Sequence, residues 1–376
     1  MREFELEAYF ARWEFAVQHV LAASDAESLS LGDLLALATP ADRAAFESLW
    51  LGYTETAGAP DLRAAIASTY DAVEPDDVLV FAGAEEAIYT TMHVVLDRDD
   101  HAIIVTPNYQ SSETVPMSRC DVTGVALDAF DGWSLDVDRI AAAVRPTTKL
   151  LYINFPNNPT GKILEPDRFD AIVELCRRHG IRLFSDEVFR LLDRDESMRL
   201  PQAVDLYEQA LSLNVMSKAY GLPGLRIGWM ACRDHELLGR LERFKNFLTI
   251  CSSGPSERLA VIALGKNARE TIVERNRRLA NDNVAIATRF FEERPDLFEW
   301  YVPDGGCIGF PRYLGEDGVE AFTRDLVEQA GVLLVPASKF RSELAGSWDD
   351  RFRIGFGRKD FPVGLEAMGR WLRARE

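Results

Sequence analysis

Six short apolar runs lie along the chain with helical stretches between them: Val78 to Phe81, Ala102 to Thr106, Leu150 to Phe155, Arg182 to Ser185, Ala210 to Val215 and Arg226 to Ala231. Runs too short for a helix and this apolar read as buried strands. Strands that alternate with helices specify a mostly parallel sheet with helices on both faces, and such a sheet takes its ligands at the carboxyl ends of its strands. The residues that follow each run are therefore where chemistry is to be sought.

The Leu150 run leads into Asn157-Asn158-Pro159-Thr160-Gly161, which is good turn chemistry by itself. The run Ile181 to Ser185 ends at Asp186-Glu187, where a single acid usually just faces water. After Val215 comes Ser217-Lys218-Ala219-Tyr220-Gly221-Leu222-Pro223-Gly224-Leu225-Arg226, which alone also reads as a surface lysine on a Gly/Pro turn. Taken together in chain order, Asn, Asp, Lys and Arg are the groups that an electron-sink cofactor needs. Pyridoxal 5'-phosphate (PLP) carries a carbonyl and a phosphate on one small molecule. A lysine can hold the carbonyl as a Schiff base, glycines let backbone approach the phosphate, and a guanidinium neutralises it. In that reading Asp186 keeps a proton on the pyridine nitrogen, the Asn158 amide donates to the ring's phenolic oxygen, and Arg226 binds the phosphate. Lys218 is the catalytic lysine: displaced by the substrate amine, it carries a proton between the substrate's α carbon and the cofactor.

These motifs resemble those of the class I/II aminotransferase family, the fold type I group of PLP-dependent enzymes, and the resemblance covers nearly the whole chain. It implies an α/β fold with a large cofactor-binding domain over residues 45–265, built on a mostly parallel seven-stranded sheet flanked by helices. It also implies a smaller α+β domain from both termini, residues 1–44 and 266–376. The reaction it implies is transfer of an α-amino group from an amino acid to a 2-oxo acid. Tyr53, ahead of the segment Gly58 to Arg63, matches the tyrosine that reaches the cofactor phosphate of the neighbouring subunit, so a homodimer with shared active sites is expected. Gly83-Ala84-Glu85 matches a helix start whose backbone NH groups hold the phosphate; helix N-termini do carry unpaired donors. Tyr109 matches the aromatic that stacks on the cofactor ring, and Ser217 stands beside the lysine as a further cofactor contact. Arg353 matches the arginine that grips the substrate's α-carboxylate, with Asn158 also at the substrate; a planar fork suits a carboxylate. Apart from the family, Tyr109 reads equally as core packing and Arg353 as an exposed strand residue.

Two positions depart from the family pattern. Phe189 stands three after the aspartate, where a tyrosine usually bonds the phenolic oxygen, so one donor to the phenolate is missing and a raised imine pKa is expected. Val215 stands three before the lysine, where a serine or threonine often meets the phosphate. The segments Leu6 to Phe10 and Ser28 to Leu34 are loosely similar to capreomycidine synthase-like members, which leaves a lyase, cyclase or oxidase outcome open beside transamination.

Composition narrows the rest. With 376 residues and 47% hydrophobic content the chain can bury a large core. A formal charge of −18 speaks against nucleic acid, and a ligand-sensing regulator with an N-terminal DNA-binding module is disfavoured because the aminotransferase-like pattern starts almost at once. The five cysteines form no CxxC pair, which suits a reducing, cytoplasmic compartment, and the five histidines lack metal-ligand spacing. No signal peptide or membrane-spanning run is expected. Leu6, Tyr9, Phe10, Trp13, Val17, Val20 and Leu21 recur at helical spacing, predicting an opening amphipathic helix, and Pro255 starts a long helical region through about Arg289. The substrate side chain stays open among basic, aromatic and aliphatic; Glu85, Glu86 and Asp33 are acids that could face a cation, although each also reads as an ordinary exposed acid.

Overall fold

The computed structural model describes residues 1–375. Its centre is a seven-stranded sheet of β1 (Val78–Phe81), β2 (His101–Thr106), β3 (Asp121–Ala126), β4 (Thr148–Asn154), β5 (Arg182–Asp186), β6 (Leu211–Val215) and β7 (Gly228–Ala231). In space the strands run β1-β7-β6-β5-β4-β2-β3, all parallel except β7, which is antiparallel to both neighbours. Side chains alternate between the two faces, as the two-residue strand period requires. Ile103, Val105, Leu151, Ile153 and Leu183 pack into one core, whereas Ala102, Ile104, Leu150, Tyr152 and Phe184 pack into the other. Both faces are therefore dry, which is why the strands read as continuous apolar runs.

Helices cover the sheet. Between β4 and β5, α3 (Pro166–His179) shows how local sequence sets such an element. Proline opens it, Asp167 lies in its first turn, Arg177, Arg178 and His179 lie in its last, and Gly180 ends it in the left-handed region. Ahead of it, α1 (Glu5–Trp13) and α2 (Ala84–Val95) both reach the mouth of the sheet. Smaller sheets come from the two ends of the chain: Ile308–Gly309, Phe352–Gly355 and Val335–Pro336 form an antiparallel trio, and His19–Val20 pairs in parallel with Val332–Leu333.

One helical expectation is corrected. The opening helix stops at Trp13 rather than running to Leu21, because His19 and Val20 complete the backbone hydrogen bonds of an otherwise open strand at Val332–Leu333. The helical region expected from Pro255 is made of α4 (Gly254–Leu264) and α5 (Lys266–Glu292), separated where Gly265 takes an extended conformation at ψ 135°. Among the described residues no helix is long and apolar enough to cross a membrane, and no group of acids, histidines and cysteines is arranged to hold a metal.

Candidate active site

The strand register builds the floor of the site. Asn154 at the end of β4 lies beside Asp186 at the end of β5, and Asp186 lies beside Leu213 of β6. The loops beyond these ends carry Asn158, Phe189 and Lys218 into one cavity of about 660 Å³. Of the residues singled out from sequence, Ala84, Glu85, Tyr109, Asn158, Asp186, Phe189, Ser217, Lys218, Arg226 and Arg353 all line it, and so does Val215.

Asp186 is enclosed, and burial pushes its carboxyl up to about 6. Two donors oppose that shift: the Tyr152 hydroxyl at 2.7 Å and the Val188 amide at 3.2 Å. Tyr152 escaped the sequence reading, although the strand period could have found it. It pairs with Phe184, so it stands diagonal to Asp186 on the same face of the sheet. Lys218 Nζ donates to Ser24 Oγ at 2.8 Å and lies 5.3 Å from the centre of the Phe189 ring, which forms a wall where the family pattern has a hydroxyl. Burial pulls the lysine's pKa down, opposed by nearby acids that include Asp25 and Glu7. Nothing in sequence pointed to Ser24, whose loop is brought in by the His19–Val20 strand pairing.

Arg353 is 1% exposed and makes two hydrogen bonds, to the Asn158 side-chain oxygen at 3.2 Å and to the Ala22 carbonyl at 2.8 Å. Its Nε is buried without a partner among the described residues. Because arginine only donates, it fixes the Asn158 amide with its oxygen toward Arg353 and its NH2 on the other side. Burial pushes the arginine down to about 10.

At the opposite end, Gly83 caps α2 at φ 96°, a conformation reserved for glycine, and the Arg226 guanidinium fills the space where a side chain would begin. Gly228 in β7 has the same reason to be glycine: a Cβ would lie 2.7 Å from the Gly83 carbonyl carbon and 2.9 Å from the Ala84 nitrogen. The two glycines let the free NH groups of a helix start and an arginine converge at one point. Gly83 itself lies just behind the cavity wall.

Tyr109 stands at the cavity with its hydroxyl on Glu7 Oε1 at 2.7 Å. Glu85 faces the cavity, accepts from Ser111 Oγ at 2.8 Å, and is pushed up to about 7 by burial. Glu86 is spent on the Ala82 amide and the Thr249 hydroxyl, and Asp33 closes a capping box with Ser30, so neither is an acid of the cavity. Tyr53 does not reach the cavity of its own chain and is 84% exposed.

The donor set fits PLP. Lys218, Arg226 and Arg353 are cations at the cavity with no ion-pair partner among the described residues, and a single buried carboxylate, Asp186, stands on its floor. Such a set suits a ligand with an anionic phosphate at one end and a ring NH at the other, with room left for a carboxylate at Arg353.

Comparison with known proteins agrees. Residues 25–360 match the family model described as aminotransferase class I and II. Capreomycidine synthase of Streptomyces vinaceus is 30% identical over 83% of this chain and 78% of its own length. Among solved structures, a PLP-dependent aminotransferase from Streptococcus suis superposes with a TM-score of 0.92 at 29% identity, covering 100% of this chain and 98% of that one. The PLP-dependent cyclase OrfR superposes with a TM-score of 0.90 at 28% identity and the same coverage. The floor carboxylate, the enclosed lysine, the arginine over a glycine helix start and the whole-chain likeness lead to one conclusion: the chain is an enzyme of the class I and II aminotransferase family, with PLP as its cofactor.

Proposed function

We propose that the protein transfers an α-amino group from an L-amino acid to a 2-oxo acid, with Lys218 as the amine that anchors the cofactor. The observation that carries this is the trio of cations, without an ion-pair partner among the described residues, around a cavity floored by one buried carboxylate. When bound, PLP supplies an electron sink that stabilises negative charge on the substrate's α carbon. Asp186 holds the ring nitrogen's proton, and Tyr152 keeps that carboxylate ionised and aimed. Arg226 and the free amides at Gly83, Ala84 and Glu85 hold the phosphate, with Ser217 beside them. Asn158, its Oδ1 held by Arg353, would offer its NH2 to the phenolic oxygen, and Tyr109 and Phe189 would bound the ring. Arg353, which lines the cavity, would take the substrate carboxylate. Lys218, its pKa lowered by burial, is neutral over more of the pH range, so it can act as nucleophile and then move a proton at Nζ.

In this reading the large domain spans 45–265 and the small one 1–44 with 266–376, supported by the central sheet lying wholly within 78–231. A homodimer in which Tyr53 enters the partner's site is supported by exposed Trp50, Leu51, Tyr53 and Phe247. Five free thiols suit a reducing, cytoplasmic setting. A second reading, cyclisation or elimination, is favoured by the likeness to a synthase and a cyclase at 30% and 28% identity. The test is the visible spectrum of the PLP-loaded protein as single amino acids are added, with ammonia and oxygen followed in parallel. Conversion to the pyridoxamine band, reversed by a 2-oxo acid, establishes transfer. Ammonia release with the original band restored establishes elimination, and oxygen uptake establishes the oxidase outcome that the family resemblance also leaves open.

A further inference from the structure

A second cavity, of about 530 Å³, shares no lining residue with the one that holds Lys218. Two of the segments that build it nevertheless continue from the active site. Arg190 follows Phe189 on the loop after β5, and Tyr220 stands two residues beyond Lys218 on the loop after β6. The start of α5 closes the other side with Arg269 and Arg277.

The charges of this cavity divide into those with an occupation and those without. Arg199 donates through Nε and Nη2 to Asp193 Oδ2, at 3.0 and 2.6 Å, and Arg277 is paired with Glu196. Arg190 gives only its Nε, to the Leu200 carbonyl at 3.4 Å, and Arg269 gives nothing; among the described residues neither makes an ion pair. Both are half-buried, where a guanidinium without a partner is costlier than in water. Asp71, Glu270 and Glu274 also line the cavity, but all three are exposed, so solvent and salt screen their pull.

The inner end supplies an independent sign of a ligand. Tyr220 is 1% exposed and stands on the cavity wall, and its hydroxyl makes no hydrogen bond among the described residues. The neighbouring Tyr70 hydroxyl, by contrast, accepts from Trp229 Nε1 at 2.8 Å. Burial pushes the Tyr220 hydroxyl up to about 12; the charges that act on it are Arg269 and Arg190, both pulling it down, and no carboxylate acts on it. The inner end is therefore a positive spot in a chain of formal charge −18. Two guanidinium forks and a free phenol are hydrogen-bond donors, and they come from three separate segments. Donors that arrive from several sides suit the tetrahedral oxygens of a phosphoryl group better than a flat carboxylate.

We propose that Arg190, Arg269 and Tyr220 form a second anion site, behind the lysine loop, for a phosphoryl group: the free phosphate ion or that of a small phosphate ester. It is distinct from the phosphate end at Arg226, which lines the first cavity only. It does not depend on which reaction the active site performs.

The test uses the PLP-loaded protein, so that the Arg226 end is occupied, in about 0.15 M chloride, which screens loose surface attraction. Inorganic phosphate and glycerol 3-phosphate are titrated separately by calorimetry. Saturable binding of one anion per chain, at about millimolar concentration or below, is expected. An ester that binds more tightly than the ion assigns the site to a phosphorylated small molecule, and the reverse order assigns it to free phosphate. In Arg190→Gln/Arg269→Gln the affinity should fall about 10- to 100-fold, the range of a hydrogen bond to a charged group. Tyr220→Phe should weaken binding about three- to tenfold and leave the melting temperature unchanged, because the hydroxyl holds nothing within the chain. Thermal unfolding checks the fold of the double variant, and should that fail, Tyr220→Phe decides alone. No saturable binding of either probe, or an affinity within twofold of wild type in the folded variants, overturns the site.

Discussion

Replacing Tyr152 by phenylalanine removes one oxygen that touches no expected ligand, yet it should change how the cofactor is held. Tyr152 is fully buried with its ring centre 5.2 Å from that of Phe184, so the phenylalanine ring keeps its packing. What is lost is the 2.7 Å hydrogen bond to Asp186 Oδ2. A hydrogen bond to a charged group contributes about 1.5–3 kcal/mol, and about 1.4 kcal/mol corresponds to one pH unit in a carboxyl's pKa. Burial already pushes Asp186 up to about 6. Without the hydroxyl the carboxyl should rise by about one to two pH units, since the Val188 amide and Lys218 remain. Only the ionised carboxylate pairs with a protonated ring nitrogen, so wild-type affinity for PLP should fall about tenfold per pH unit below the Asp186 pKa. In Tyr152→Phe that break should move to about pH 7–8, so affinity should drop about 2- to 10-fold at pH 7 and about 10- to 100-fold below pH 6. The assay is PLP titration of cofactor-free protein by tryptophan fluorescence across pH 5 to 8.5. A break at the wild-type pH, with dissociation constants within twofold at the low end of that range, refutes the reasoning.

The other predictions concern neighbouring groups. Glu187 is enclosed, accepts from the Ala203 amide and Ser212 hydroxyl, and is pushed by burial from 4.5 to about 7. Its folded pKa lies above its unfolded one, so stability is lost as pH rises through that window, by roughly 3 kcal/mol; Glu187→Gln should flatten the decline in melting temperature between pH 5 and 8, and an unchanged slope rules this out. Gly83→Ala places a methyl against Arg226 at φ 96°, so chemical denaturation should show about 1–3 kcal/mol lost and PLP binding should weaken; unaltered values in both would show that the conformation is not needed. Phe189→Tyr restores a donor near Lys218, and the pH midpoint of the visible band of the loaded protein should move down; a midpoint that stays or rises contradicts the missing-donor account.

Much of this protein was readable from its chain alone, for a physical reason. A strand buried on both faces must be apolar throughout, so β1, β2, β4, β5, β6 and β7 announced themselves, and the polar residues just beyond them were the site. Edge strand β3, whose residues are mostly half-exposed, carried no such signal and went unread. Gly83 was reached through the family resemblance, and that its φ of 96° and the closeness of Arg226 exclude a side chain came from the structure. What the tertiary structure alone decided came from long-range register. Pairing of His19 and Val20 with residues more than 300 positions away ended the first helix early and brought Ser24 to Lys218. The diagonal of β4 on β5 gave Tyr152 to Asp186. The packing of α1 over the sheet brought Glu7 and Glu14 to the cavity, which no motif in the chain had singled out. Local sequence dictates which backbone conformations are cheap, but which side chains meet depends on how distant segments bury their apolar faces together, and no local pattern encodes that partner.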